Sequence, residues 1–519
     1  MHSIEIMIRS IRTLGRLFMI GRTLARHNAL FVLDWHSIGS LLASLAKLTS
    51  RPDPRISLLR PGERLALALT ALGPAFIKLG QALSTRPDLL SQAVTDDLTN
   101  LQDQLPPFAF SDAKTIINED FSAGADNLFT SIDPIPVAAA SIAQVHFAVT
   151  SDGDEVAVKI LRPGIRNTFL SDLDLLYWLA ETVELTQPKL RRLRPVEAVR
   201  TFEESVRIEM DLRLEAAAAE ELRENFLDEP RFKVPTVDWM RTSERVLTLE
   251  RVSGARVDSS DAVIAHGLNP VEIVRTSAEV FFRMVFNHGF FHADMHPGNL
   301  FVGDDGTIIA MDFGIMGRLD ARTRRHLGEM LLGFLNRDYK RVAEVHIQAG
   351  FVPNDKDVGA FAQACRSIAE PILGKPLNEI SLARLLGQLF QITETFEMET
   401  QPQLLLLQKS MLLAEGVGRA LAPKVNMWEL AQPLIEAWMF KELGPEGRIR
   451  ETISDVSSTL DKLPQFLDNI DAAAEKIRRH GLDLKPETKG LFRGRSRRIP
   501  NRLWPWAIAT AALLMWLAT

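Results

Sequence analysis

Cysteine is all but missing from this chain. One residue in 519, Cys365, excludes an internal disulfide framework and fits a reducing compartment. The sequence shows no four-ligand Cys/His array either, which argues against a structural zinc site. Net charge is small for the length. The 60 basic and 66 acidic side chains leave −6, which gives no electrostatic case for nucleic acid as a partner. Internal repeats and long low-complexity tracts are absent as well. The apolar fraction of 46% and charged fraction of 24% are those of an ordinary globular protein, long enough for two or three structural units.

Two absences are local. No acidic residue stands between Glu5 and Asp34, where Arg9, Arg12, Arg16, Arg22 and Arg26 recur at helical spacing among Ile4, Met7, Ile8, Ile11, Leu14, Phe18 and Leu24. Such a basic amphipathic helix can lie in a membrane interface, serve as a transit peptide, or dock on the body of the protein. It is not a secretory signal, because arginines interrupt every apolar run. At the other end, Leu503–Thr519 carries no charge and follows Lys489, Arg493, Arg495, Arg497, Arg498 and Arg502. As a helix it spans roughly 25 Å, a little short of a hydrocarbon core of about 30 Å. Snorkelling arginines and the interface-seeking Trp504, Trp506 and Trp516 make up the difference. The basic flank predicts a membrane anchor with the body on the cytoplasmic side.

The stretch with most chemical content is FHADMHPGNLFVGDDGTIIAMDFG, Phe291 to Gly314. Two polar blocks flank an alternating apolar run. Pro297-Gly298 forces a turn, and Asp304-Asp305-Gly306 reads as the hairpin between two short strands. In a kinase-type site the first aspartate, Asp294, accepts or orients the proton of the attacking group. Asn299 and Asp312 then hold Mg²⁺ against the phosphates of ATP or ADP.

Upstream, Ala143–Val149 and Glu155–Leu161 alternate around a Ser151-Asp152-Gly153 turn. The second strand carries Val156-Ala157-Val158-Lys159, the form of the kinase lysine strand, where the ammonium contacts nucleotide phosphates. Just before it, Pro136, Val137, Ala138, Ala139, Ala140, Ser141, Ile142, Ala143 and Gln144 occupy the place of a glycine-rich phosphate loop without one glycine. Alanine is small enough for backbone N–H groups to approach an anion, but it closes off positive φ. A stiffer loop and an altered nucleotide pose are expected.

A single long helix is predicted over roughly 196–226, carrying Glu203, Glu204, Glu209, Asp211, Glu215, Glu220 and Glu221. Asp211 and Glu215 share a face there and repel, with Lys159 or a bound metal as candidates for relief. Leu247–Val252 reads as a strand leading through Gly254 into a second lobe. Beyond Gly314 a protein kinase carries an activation segment ending in A-P-E. None is present, and a helix-like run from Arg322 to Ile347 follows almost at once. Ala293 stands where an arginine precedes the catalytic aspartate, and His296 replaces a lysine two residues after it. These absences argue against a protein substrate.

With KLGQ at 78–81, AAASIAQVH at 138–146, VAVK at 156–159, EMD at 209–211, HADMHPGN and DFG in order, the chain resembles the UbiB family of atypical, protein-kinase-like ATPases. The resemblance covers roughly residues 60–440. It implies an α+β, two-lobed protein-kinase-like fold with an added N-terminal helical KxGQ region and a C-terminal membrane helix. It divides the chain into a basic segment (1–55), a KxGQ extension (56–125), an N-lobe (126–254), a helical C-lobe (255–445), a basic linker (446–502) and the anchor (503–519). It further implies that Lys78, Gly80 and Gln81 lie over the active site as a gate, that Glu209 and Asp211 face Lys78, and that Glu215 pairs with Lys159. The activity implied is support of ubiquinone biosynthesis at the polyprenylphenol hydroxylation stage. Partners would be membrane lipid and the polyprenylated phenol precursors or their enzymes, with a homodimer open. The location implied is the bacterial inner membrane, cytoplasmic face (the matrix face of the mitochondrial inner membrane in a eukaryote). Two other classes fit the polar blocks: a small-molecule kinase of the aminoglycoside or choline type, and a nucleotide-switched scaffold without turnover.

Overall fold

The alternation read from the sequence builds a sheet. Five strands, β1 (Phe129–Ile132), β2 (Ala138–Ala139), β3 (Ala143–Thr150), β4 (Glu155–Leu161) and β6 (Val246–Glu250), pair in the order β1-β3-β4-β6, with β2 added to β3. The β3–β4 register sets Val145 opposite Lys159, and the β4–β6 register sets Lys159 opposite Leu247. The hairpin turn ends at Gly153 with φ +98°, a conformation that suits glycine. A computed structural model provides these coordinates and describes residues 15–33, 53–84, 90, 92–99, 101, 105–186, 195–257, 260–375, 392, 395–398 and 402–443. The expected linker and anchor, 446–519, lie outside the described residues. Among those described, no helix is long and apolar enough to cross a membrane.

Period two puts opposite faces of this sheet into different cores. Ala148, Val156, Val158, Ile160 and Val246 pack with Ala113, Ile116 and Ile117 of the Phe110–Asp120 helix. Ala143, Leu161, Leu247 and Leu249 join the main core with Leu212, Ala216 and Ala219.

Before the sheet stand α1 (Pro61–Leu72) and α2 (Pro74–Ser84), separated by Gly73 at φ +107°. Residues 15–26 are helical too, and their packing is the docked option read for the basic N-terminus. Leu17, Leu24, Ala25, Ala29 and Leu30 are buried, while Arg16 pairs with Asp172 at 2.9 Å and lies over the Phe76 ring. This stretch docks on the body through those residues, while Phe18 and Met19 stay exposed.

The long acidic helix is two helices, α3 (Pro195–Glu209) and α4 (Leu212–Asn225). The break falls inside EMD because Asp211 adopts extended backbone and its carboxylate caps the Arg213 N–H at 3.2 Å. A local cap competes with helix continuation, and here the cap wins.

Past Gly254, whose Cβ would meet the Val302 carbonyl at 2.5 Å, a second sheet runs β5-β10-β9-β7: Phe232–Lys233, Ile308–Ala310, Leu300–Val302 and Ala255–Arg256. A two-stranded sheet joins β8 (Phe290–His292) to β11 (Met316–Arg318). The run after Gly314 also divides, into α5 (Ala321–Leu335) and α6 (Tyr339–Gln348). Arg337 at φ +58° turns the chain and Asp338 caps the second helix. The remaining helices include α7 (Val358–Ala369), α8 (Pro402–Leu421) and α9 (Met427–Leu443).

Candidate active site

The Lys159 ammonium is the centre of the cleft. It donates to Glu215 Oε1 and Oε2 at 2.7 and 2.9 Å and to Asp312 Oδ1 at 3.2 Å. Sheet, helix and the DFG turn thus meet at one nitrogen. Burial alone would push this lysine down, but the charges of Asp312 and Glu215 outweigh it and hold the ammonium well above the usual range. Burial pushes Glu215 up to about 7, against the pull of Lys159. Asp312 goes the other way. Lys159 first, opposed by desolvation, and then Lys78 hold it well below the usual carboxylate range. Two carboxylates share one near ammonium, leaving the cluster short of positive charge.

Asp312 has φ +60°, a left-handed backbone that is uncommon outside glycine and recurs at functional sites. Half its side chain, 52%, faces solvent, so the carboxylate lines the open part of the cleft. The chain is held there by its neighbours. Phe313 is buried against the His292 ring at 5.8 Å. His292 Nδ1 accepts the Asp294 N–H at 3.1 Å, which fixes the proton on Nε2, and that nitrogen donates to the Met311 carbonyl at 3.0 Å. Burial holds this imidazole below its usual pKa and so neutral. His292 is therefore the clasp between the HADMHPGN and DFG blocks, a role that the bare motif did not disclose.

Asn299 is buried and donates its amide to the Asp294 carbonyl at 3.1 Å. Its own carbonyl oxygen and the Asp312 carboxylate are hard donors of the type Mg²⁺ takes. Among the described residues no group of three or more His, Cys, Asp or Glu is arranged to hold a metal. This donor set fits an ion that keeps phosphate and water ligands, as Mg²⁺ does. Asp294 lies 2.8 Å from Lys409 of α8, a residue that sequence reasoning missed.

The gate residues divide. Lys78 on α2 pairs with Glu209 at 2.8 Å, both side chains nearly covered at 12% and 11% exposure. Asp211 is taken up by Arg213 instead, at 2.8 and 2.7 Å. A Cβ on Gly80 would come within 2.7 Å of Leu69 and Leu101, so its smallness lets α2 pack closely. Gln81 is half-buried, and its carbonyl accepts the Ser84 hydroxyl at 2.7 Å.

The alanine loop also divides. The Ala140 N–H donates to the Ala143 carbonyl at 2.8 Å, closing a tight turn above buried Ser141 and Ile142. The Arg162 guanidinium donates to the Ala140 carbonyl at 2.8 Å and to the Pro106 carbonyl at 2.9 Å. That staple stiffens the loop from outside its own sequence. Pro136, Val137 and Ala138 lie exposed or half-exposed along its approach. Gln144 leaves the nucleotide-facing set. It lies on the opposite sheet face from Lys159, with its carbonyl oxygen accepting the Phe108 N–H at 3.0 Å and its amide 2.8 Å from His146.

Between Gly314 and α5 the described chain makes only β11 and its flanks, which leaves no peptide-docking segment. In its place Arg318 of β11 grips Glu221 of α4, one arm at 2.7 Å, tying the glutamate-bearing helix to the DFG strand without a phosphorylated loop.

Residues 100–346 match the ABC1 atypical kinase-like domain, and residues 365–426 match the UbiB helical domain. The chain is 42% identical over 434 residues to "Probable protein kinase UbiB" of Marinobacter nauticus, covering 83% of this chain and 79% of that one. It is 44% identical over 410 residues to the protein of that name from Vibrio parahaemolyticus, covering 78% and 75%. A solved structure, the Rv3197–erythromycin complex of Mycobacterium tuberculosis, is 26% identical over 71% of this chain and 91% of that one; its TM-score of 0.47 is too low to transfer any residue's position. Motif order, cleft geometry and these matches agree: the chain belongs to the UbiB family of atypical kinase-like proteins.

Proposed function

We propose that this protein is a Mg²⁺-dependent, ATP-binding ATPase that supports ubiquinone biosynthesis at a membrane, at the stage where a polyprenylated phenol is hydroxylated. The observation that carries the nucleotide chemistry is Lys159 joined to both Glu215 and Asp312. A lysine so held is charged at any physiological pH and presents a fixed cation to phosphate oxygens. Asn299 and Asp312 are the residues to hold Mg²⁺, which when bound neutralises phosphate charge. Asp294 takes the proton of the attacking hydroxyl or water, and His292 keeps its backbone in register with the DFG turn.

A small, non-peptide acceptor is favoured by the direct passage from β11 into α5 and by the Lys78–Glu209 latch at the front. Leu503–Thr519, behind its arginines, is the segment we assign to the membrane, with the body on the cytoplasmic side of the bacterial inner membrane. ATP hydrolysis by the full chain tests this reading, measured with and without vesicles of anionic lipid and a soluble phenol that mimics the head group. Mg²⁺-dependent turnover raised by both additions is expected. Hydrolysis that is indifferent to both, or undiminished in Asp294→Asn, overturns the reading.

A further inference from the structure

Lys409 is 115 residues downstream of Asp294 in sequence, yet its Nζ is 2.8 Å from Asp294 Oδ1. Neither side chain is freely solvated, at 33% and 26% exposure. The lysine comes from α8, within the stretch that matches the UbiB helical domain rather than the kinase-like domain. It is the only charged residue from Pro402 to Ala414 in a run of leucines. Leu407 and Ser410 beside it are buried, and α8 packs against the Pro270–Phe282 helix and β11. The helix holding this ammonium is therefore anchored from below, and the charge is aimed at the cleft.

The catalytic block supplies no permanent cation of its own: HADMHPGN contains neither lysine nor arginine. His296, two residues beyond Asp294, spends one ring nitrogen on its own turn and stands farther from the carboxylate than Lys409 does with the other. Its Nδ1 accepts the Gly298 N–H at 3.0 Å, and its Nε2 is 4.0 Å from Asp294 Oδ2. Phosphoryl transfer leans on fixed charge and on precise orientation of the base. An aspartate with its backbone clasped by His292 and Asn299 still needs its carboxylate aimed, and Lys409 is the group in contact with it.

Resting on the reading of the site as one for phosphoryl transfer, we infer that Lys409 is the positioning residue of the proposed base. The C-terminal helical domain supplies it in place of a lysine on the catalytic loop. Its ammonium holds the Asp294 carboxylate oriented to the acceptor. In the step it serves, the acceptor oxygen bonds to the γ-phosphorus and its proton passes to Asp294. The bond from that phosphorus to the bridging oxygen breaks, with the electron pair leaving on ADP. The helical domain is then a working part of the active centre.

Two measurements on the full chain test this. In Lys409→Met, kcat for ATP should fall roughly 10- to 100-fold while the affinity for Mg-ADP, read by thermal shift, stays within about twofold of the parent. Lys409→Arg should recover most of the loss, because it restores the charge. The second readout needs no turnover. Amine acetylation followed by mass spectrometry should label Lys409 several-fold faster in Asp294→Asn than in the parent, since the pair that shields it is broken. A parental kcat in Lys409→Met, or labelling of Lys409 that ignores Asp294→Asn, overturns the inference. Should Lys409→Met fail to fold, the arginine variant and the labelling decide. A parent with no turnover defeats the functional reading instead, and the labelling still reports on the pair.

Discussion

The two faces of the β3–β4–β6 sheet are built from the same short strands and do opposite things with polar groups. On one face Lys159 reaches Glu215 and Asp312, and the charges do not balance. On the other, Gln144 and His146 form a closed chain. His146 Nδ1 donates to the Asp133 carbonyl at 2.7 Å, its Nε2 accepts from the Gln144 amide at 2.8 Å, and the Gln144 oxygen takes the Phe108 N–H at 3.0 Å. Every polar atom there has a partner within the protein. A buried network that is complete gives rigidity, whereas one left short of charge is suited to receive a ligand. The run AAASIAQVH, which looks like one motif, therefore serves two masters by simple alternation.

The largest effect should come from removing the ammonium of the unbalanced face. Lys159→Met leaves Glu215, 7% exposed, without its partner, and breaking a buried pair from one side costs about 3–5 kcal/mol. Glu215 is already pushed up to about 7 by burial, so part of that cost is relieved by protonation. A carboxyl raised in the folded state loses stability as pH climbs from its unfolded value toward its folded one. The variant should accordingly melt lower at pH 8 than at pH 6 relative to its parent, and Mg-ADP should no longer raise its melting temperature. A normal nucleotide shift would erase the distinction between the faces.

A smaller loss is expected at the front edge. Lys78→Ala strands Glu209, but α2 and α3 remain tied by apolar packing, since Phe76, Phe202 and Val206 share one core. The cost should lie at the low end, about 3 kcal/mol, because both groups keep some contact with water. The distinguishing readout is functional: with Asp294, Asn299 and Asp312 untouched, self-phosphorylation should rise as the latch opens, measured by phosphate incorporation from labelled ATP. Unchanged incorporation would separate the pair from any gating role.

Much of this is legible in the sequence alone. Strands of period two, turns at Gly153 and Gly306, and spaced motifs announce the first sheet and single out Lys159, Asp294, Asn299 and Asp312, because such features are local in sequence. What was not legible depends on competition or on distance. The acidic helix reads as continuous because Asp211 is an acceptable helix residue; only its capping bond to Arg213 favours the break that turns Glu209 toward Lys78 and Glu215 toward Lys159. Gln144 reads as part of a phosphate loop until pairing register assigns its face. Lys409 and Arg162 act from 115 and 22 residues away, on Asp294 and Ala140 respectively, and no local pattern announces them.

The smallest effect sharpens the comparison most, because it acts on the balanced face alone. His146 has no exposed surface, and burial lowers its pKa despite the Asp133 carbonyl. The folded chain therefore keeps the ring neutral while the unfolded chain protonates near 6.5. As pH falls below that value the unfolded state binds the extra proton, and stability drops by up to about 1.4 kcal/mol per pH unit from this group. Protonation would also put a hydrogen on Nε2 against the Gln144 amide, ending the closed chain. Gln144→Leu removes the amide at neutral pH and should cost about 1–3 kcal/mol, for an orphaned Phe108 N–H and imidazole nitrogen. Two observations then settle the matter for the dry face. Gln144→Leu should melt lower than the parent at pH 7.5 yet bind Mg-ADP with parental affinity. Replacing His146 by leucine in that background should flatten the loss between pH 6.5 and 5.5. A weakened nucleotide affinity in Gln144→Leu would mean that the alanine loop senses the far side of its own sheet, and that the two faces are one device after all.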